Sequence, residues 1–135
     1  MAKFLRLTQE IGIRVANAVG VLADISAIVA GLGVNIEAIG GYVAENNEAK
    51  LMIVTFDNSR VIKALNSKGY VNIQENEVIL VELENKPGTL KELTRRLVQE
   101  NIDIKYIYGA TCPAGCPAQL VLATSDNKKA MAVLK

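Results

Sequence analysis

Two short stretches carry the side chains and turns with chemical potential: Asn85-Lys86-Pro87-Gly88-Thr89-Leu90, and a weaker copy, Asn17-Ala18-Val19-Gly20-Val21-Leu22. A glycine turn that opens a helix leaves backbone N–H groups without intrahelical acceptors beside the positive end of the helix dipole, a setting that suits a carboxylate. Asn17 and Asn85 come just before these turns, and an amide can both donate and accept. Pro87 and Gly88 shape the second turn; in the first, Val19 and Gly20 stand in their places, and Val19 cannot fix φ as proline does, so a less rigid turn is expected there. Asn35 and Asp103 open the strand after each helix, where a side chain beside the first strand can receive an ammonium group. Together the eight residues offer the two handles that a free amino acid needs. Their other reading is purely architectural, since Asn before Pro-Gly is a common turn residue and Asn35 can be an ordinary strand end. Asp103 against Asn35 makes the two sets unequal, because a carboxylate suits an ammonium or a basic side chain and an amide suits a neutral polar one.

Cys112 and Cys116, in Thr111-Cys112-Pro113-Ala114-Gly115-Cys116-Pro117, have no counterpart in the first copy, whose matching loop is the polar run Ala44 to Ala49. The two thiols can hold a soft metal with ligands from another chain, or close a small disulfide across a hairpin tip. Two cysteines in a chain without histidine fill only half a tetrahedral zinc site, and cytosolic thiols are usually reduced. The reading adopted is a turn-shaped loop with reduced thiols; redox or metal sensing by Cys112 and Cys116 is the alternative. The absence of histidine removes the commonest general base and metal ligand. Ser26, Ser59, Ser67 and Ser125 have no base to activate them, so a nucleophilic enzyme is not expected, and no cofactor is expected either.

The chain of 135 residues is 50% apolar, enough to bury a core as one globular domain or two small ones. Fifteen Lys and Arg against fourteen Asp and Glu leave a net charge of +1, which argues against a nucleic-acid or acidic-membrane partner. The longest apolar stretch, Ala27 to Val34, falls far short of the roughly 20 residues of a membrane span. The first ten residues turn polar too early for a secretion signal. A cytoplasmic location is the default expectation.

The residues with chemical potential are positioned by a duplication. Gly20 and Gly88 lie 68 positions apart, and the same offset matches Ile11 with Ile79, Asn17 with Asn85, Leu22 with Leu90, Ile36 with Ile104, Ile39 with Ile107 and Gly41 with Gly109. Without a gap it also sets Met52 against Leu120 and Ile53 against Val121. Two units follow, 1–67 and 68–135. In the second, alternation predicts a strand over Val78 to Leu83, and Leu90, Leu93, Leu97 and Val98 make the apolar stripe of a helix from Thr89 to about Glu100. Thr89 and Glu92 have the spacing of a capping box, with Gly88 as the alternative cap. Extended segments over Ile102 to Ala110 and Ala118 to Thr124 precede a final helix, Lys128 to Leu134. The first unit repeats this with a helix near Val21 to Leu32, strands near Val34 to Val43 and Lys50 to Phe56, and a helix after Asp57-Asn58-Ser59. A fourth strand is read at the front of each unit, Phe4 to Thr8 hairpinning into Ile11 to Ala16 and Val71 to Gln74 into Val78 to Leu83. The fold class is α+β, four antiparallel strands and two helices per unit.

Val81 to Ile107, strand, Asn-x-Pro-Gly-x-Leu turn, helix and Asp-Ile strand in order, resembles the opening of an ACT domain, the ligand-binding module of amino-acid metabolism. The likeness extends over nearly the whole chain, as two ferredoxin-like ACT units in tandem. It departs from the family in its fourth strand, which is either placed first in each unit or exchanged between units. The resemblance implies a non-catalytic, allosteric regulatory protein that binds a free amino acid at the boundary between units, through Asn17, Val19, Gly20, Asn35, Asn85, Pro87, Gly88 and Asp103. Edge strands of the tandem sheet, which tend to be paired or protected, lead to the expectation of a homodimer, and the regulated protein is expected to be acted on in trans.

Overall fold

The computed structural model describes residues 2 and 4–135; Met1 and Lys3 lie outside them. The element order is β1 (Phe4–Ala16), α1 (Val21–Gly31), β2 (Ile36–Val43), β3 (Glu48–Thr55), α2 (Asn58–Ser67), β4 (Ile73–Leu83), α3 (Thr89–Gln99), β5 (Ile104–Ala110), β6 (Ala118–Thr124) and α4 (Asn127–Leu134). The chain is mixed α+β with antiparallel strand pairs. It divides into an N-unit, Gln9–Asn76, and a C-unit made of Glu77–Lys135 together with the residues up to Thr8. The expected boundaries, 1–67 and 68–135, are corrected accordingly. The physical reason lies in β1 and β4. Each was expected to hold a hairpin, but neither Gln9-Glu10 nor Glu75-Asn76-Glu77 contains the glycine, proline or positive-φ residue that a tight turn demands, and both strands run through without a break. The first part of β1 therefore belongs to the C-unit, where Leu5 packs on the core, while Ile73 packs on the core of the N-unit.

In the N-unit, β3 lies between β2 and β1, with Ile11 opposite Ile53 and Ile53 opposite Ile39. Its core joins Ile11, Ile13 and Ile53 of the sheet to Ile25 and Val29 of α1 and to Val61 and Leu65 of α2. In the C-unit, β6 lies between β5 and β4, with Ile79 opposite Leu122 and Leu122 opposite Ile107. Ile79, Val81, Leu83 and Leu122 there pack with Leu93 and Leu97 of α3 and Ala130 and Leu134 of α4. The edge strands share an irregularity: pairing slips between Ile36 and Ala38 in β2 and between Ile104 and Tyr106 in β5. A bulge breaks strict alternation once, so isoleucines three apart both face the core side.

The cross-strand pairs also correct the duplication. Ile53 is equivalent to Leu122, not Val121, because each sits opposite a matched residue, Ile11 of β1 or Ile79 of β4. The offset therefore grows from 68 to 69 within the β5–β6 hairpin, where Ile104 to Leu122 is one position longer than Ile36 to Ile53 in the β2–β3 hairpin. After that loop the repeat resumes as Thr55-x-Asp57-Asn58 and Thr124-x-Asp126-Asn127, and both copies form the same network. The Asn58 Oδ1 accepts from the Thr55 amide and hydroxyl at 3.2 and 2.7 Å, and the Asn127 Oδ1 accepts from Thr124 at 2.9 and 2.8 Å. The asparagine Nδ2 groups donate to the carbonyls of Gln9 and Glu77 at 2.9 and 3.0 Å. Asp57 and Asp126 cap α2 and α4 by accepting from the amides of Arg60 and Lys129. Buried Thr55 and Thr124 are thus satisfied, and α2 is tied to β1 and α4 to β4.

Candidate functional site

The turn before each first helix is the same object in both units. Gly20 caps α1 with φ 91° and ψ −2°, and Gly88 caps α3 with φ 93° and ψ −10°. Val19 at the place of Pro87 does not change the turn; its side chain is fully exposed, with nothing to disturb. Neither helix has a side-chain N-cap. The expected capping box is absent: the Thr89 hydroxyl donates to the Lys86 carbonyl, while Glu92 accepts from both Arg95 and Arg96. Those guanidinium groups hold the Glu92 carboxyl down to about 2, and Glu92 in turn raises Arg95. The equivalent carboxylate in α1, Asp24, instead accepts the Tyr70 hydroxyl at 2.5 Å, a bond that pushes the phenol up.

The two asparagines bind the hairpin loop of their own unit. The Asn17 amide donates to the Asn47 carbonyl at 2.9 Å and its Nδ2 to the Asn47 Oδ1 at 3.1 Å. In the C-unit, the Asn85 Nδ2 donates to the Cys112 carbonyl at 3.1 Å. Beside the first of these tethers lies a groove of about 270 Å³, lined by Asn17, Ala18, Val21 and Leu22 on one side and by Gly41, Tyr42, Val43, Ala49 and Leu51 on the other. Gly41 keeps the floor open, since a Cβ there would come within 2.8 Å of the Leu51 Cδ2. With the Nδ2 of Asn17 committed, the amide retains its oxygen, the atom type that accepts from an ammonium. The mouth of the groove is the first turn of α1.

Asn35 and Asp103 do not join these residues within either unit. Leu83, two residues before Asn85, pairs with Ala118, whereas Ile104, just after Asp103, pairs with Thr124 at the other end of β6. That length of strand spans roughly 20 Å. In the N-unit, Ala16 pairs with Glu48 and Ile36 with Thr55, the same separation of ends. The expectation that these residues lie beside the first-strand asparagines is corrected: β3 lies between β1 and β2 and is antiparallel to both, so β2 runs parallel to β1 and begins at the end of the unit opposite to where β1 finishes, and β5 stands in the same relation to β4. Asp103 is exposed, its amide donating to the Ser125 Oγ and its carbonyl accepting from the Ser125 amide. The groove residues on β2 and β3 were not singled out from sequence; the one signal for them was the matched pair Gly41 and Gly109.

Cys112 and Cys116 are joined as a disulfide, with Cα atoms 5.6 Å apart. This replaces the expected reduced pair; the residues meet because Gly115, at φ 81°, turns the loop back on itself. Among the described residues no group of three or more His, Cys, Asp or Glu side chains is placed to hold a metal. Tyr106 and Tyr108 stack on one another, with centroids 6.4 Å apart.

No protein-family model and no curated protein matches the sequence. Among solved structures, the fold is similar to that of a Bacteroides thetaiotaomicron protein, with TM-score 0.87, 22% identity, and coverage of 96% of this chain and 88% of the other. It is also similar to the regulatory subunit of aspartate kinase from Thermus thermophilus in a ligand-free form, with TM-score 0.70, 12% identity, and coverage of 98% and 95%. Aspartokinase alpha and beta subunits match with TM-score 0.69, 18% identity, and coverage of 99% and 96%. At these identities the likeness defines a fold, and an ACT-like fold fits it.

Proposed function

We propose that the chain is a non-catalytic regulatory protein of two ACT-type units that binds a free amino acid and passes its occupancy to a protein partner in trans. The observation that carries this reading is the groove of about 270 Å³ at the start of α1. Its polar end pairs the uncapped helix N-terminus, suited to a carboxylate, with the Asn17 amide oxygen, suited to an ammonium. Its walls, from Val21, Leu22, Val43 and Leu51, suit an aliphatic side chain. The fold shared with subunits named as regulatory supports the assignment of class. A homodimer belongs to the proposal, supported by β2, an edge strand that exposes Tyr42 and Val43. So does a cytoplasmic location; among the described residues no helix is long and apolar enough to cross a membrane.

The reading is tested by titrating isotope-labelled protein with leucine, isoleucine, valine and, as a contrast, aspartate and lysine at millimolar concentration. Saturable shifts of the Val21, Leu22, Gly41 and Asn17 amides with an aliphatic amino acid support it. Shifts located elsewhere, or none with any of the five, overturn the assignment of this groove.

A further inference from the structure

We infer that the Cys112–Cys116 disulfide is a redox latch that sets the conformation of the turn at the start of α3. It stands independently of whether an amino acid binds. In both units the asparagine before the turn is tethered to the β-hairpin loop, and only the C-unit closes that loop through a bond that thiols can break. The Cys112 carbonyl is the junction: it accepts from the Asn85 Nδ2 at 3.1 Å and from the Gly115 amide at 3.3 Å. The closed Cys112-to-Cys116 ring presents that carbonyl to Asn85. Opening the ring frees the loop backbone, and the tether to Asn85-Lys86-Pro87-Gly88 loses its fixed acceptor.

The loop is built for exchange with an outside thiol. Cys116 is exposed and Cys112 is half-buried, so an incoming thiolate reaches the Cys116 sulfur first. The Cys116 amide donates to the Cys112 Sγ at 3.0 Å, and this bond stabilises the thiolate that leaves when Cys116 is attacked. With a dithiol reductant the balance is complete. One reductant sulfur bonds to Cys116 as the Cys112–Cys116 bond breaks, and Cys112 departs as thiolate and takes up a proton. The second reductant thiol, giving up its proton, then displaces Cys116, so the protein gains two electrons and two protons and the reductant leaves as a disulfide. The N-unit provides an internal control, because its tether runs from Asn17 to Asn47 with no cysteine in the loop.

Amide hydrogen exchange on the full chain, purified without reductant and then treated with dithiothreitol, tests this. The expected result is faster exchange on reduction, by about fivefold, in 84–90 as well as in 111–117, the factor that loss of one net hydrogen bond produces. Segments 16–22 and 44–49 stay unchanged. Cys112→Ser/Cys116→Ser reproduces the reduced pattern without reductant. Asn85→Ala raises exchange in 84–90 while oxidised, and that segment then no longer responds to dithiothreitol. A response confined to 111–117, an 84–90 response that survives Asn85→Ala, or a thiol titration that finds two free thiols before reduction would each overturn the latch.

Discussion

The N-unit and the C-unit start their first helices from glycine turns with φ within a few degrees of each other, yet they hold those turns in different ways. One uses an asparagine side chain in a polar loop, where Asn46 and Asn47 take positive φ. The other uses a backbone carbonyl inside a cysteine-closed ring. The turn geometry is therefore dictated by glycine and by the tethered asparagine, and not by the proline, which only Gly88's turn possesses. Where the units differ, the difference lies in the partner of a shared residue type. Asn17 and Asn85 face different loops, and the equivalent carboxylates Asp24 and Glu92 face a phenol and two guanidinium groups.

The comparison can be broken most forcefully in the cores. Ile53→Ala and Leu122→Ala each empty a fully buried position that sits opposite an isoleucine of β1 or β4. Each should cost about 2–5 kcal/mol in urea unfolding. If Val121→Ala were costly while Leu122→Ala cost little, the 69-residue equivalence would fail. Next come Asn58→Ala and Asn127→Ala, which leave buried Thr55 or Thr124 without its partner and release the Gln9 or Glu77 carbonyl. A loss of about 1–3 kcal/mol from each is expected, and a large loss from only one would deny that the two networks are equivalent. Gly20→Ala and Gly88→Ala meet no neighbouring atom but must hold positive φ, so roughly 1–2 kcal/mol is expected from both.

The smallest effects separate the carboxylates. Glu92 is depressed in the folded state, so its contribution is present above its ordinary value of 4.5 and is lost as pH falls towards about 2. Glu92→Gln should flatten stability between those limits, measured by urea unfolding at stepped pH. Tyr70 is raised by Asp24, so its contribution is present below the ordinary value of 10.0 and is lost as pH rises through the higher folded value. Asp24→Asn should move the Tyr70 absorbance titration back towards 10.0. No movement would mean that the hydrogen bond is not made in solution.

Much of this organisation was legible in the residues. Periodicity placed all four helices to within a few residues, because Leu93 and Leu97, or Ile25 and Val29, can be buried together only on a helix. The duplication was visible for the same reason that it folds: Gly20 and Gly88 need positive φ, and Gly41 and Gly109 lie where an edge strand leaves no room for a Cβ. Strand partnership was less legible. Nothing local in Gln9-Glu10 says that β1 continues, and a turn was assumed where no residue supports one. Asn35 and Asp103 group with Asn17 and Asn85 only if the strand after the helix lies next to the first strand; β3 and β6 intervene, and the resulting parallel run of β1 with β2 and of β4 with β5 puts the two pairs at opposite ends. The apolar groove lining is not legible in the sequence, since Leu22, Tyr42 and Val43 converge only through tertiary structure and read singly as surface residues.

The most direct test of amino-acid binding in the N-unit groove is thermal unfolding of the full chain against each of the twenty amino acids, in the native sequence and in Ala18→Trp. Ala18 is exposed on the rim, so tryptophan there fills the groove without entering the core. A ligand at 100 times its Kd adds about 2.7 kcal/mol, which moves the midpoint by several degrees. The account predicts a shift confined to one or a few aliphatic amino acids and abolished by Ala18→Trp, with the unliganded midpoint unchanged. A flat response to all twenty, or a shift that survives Ala18→Trp, would contradict it.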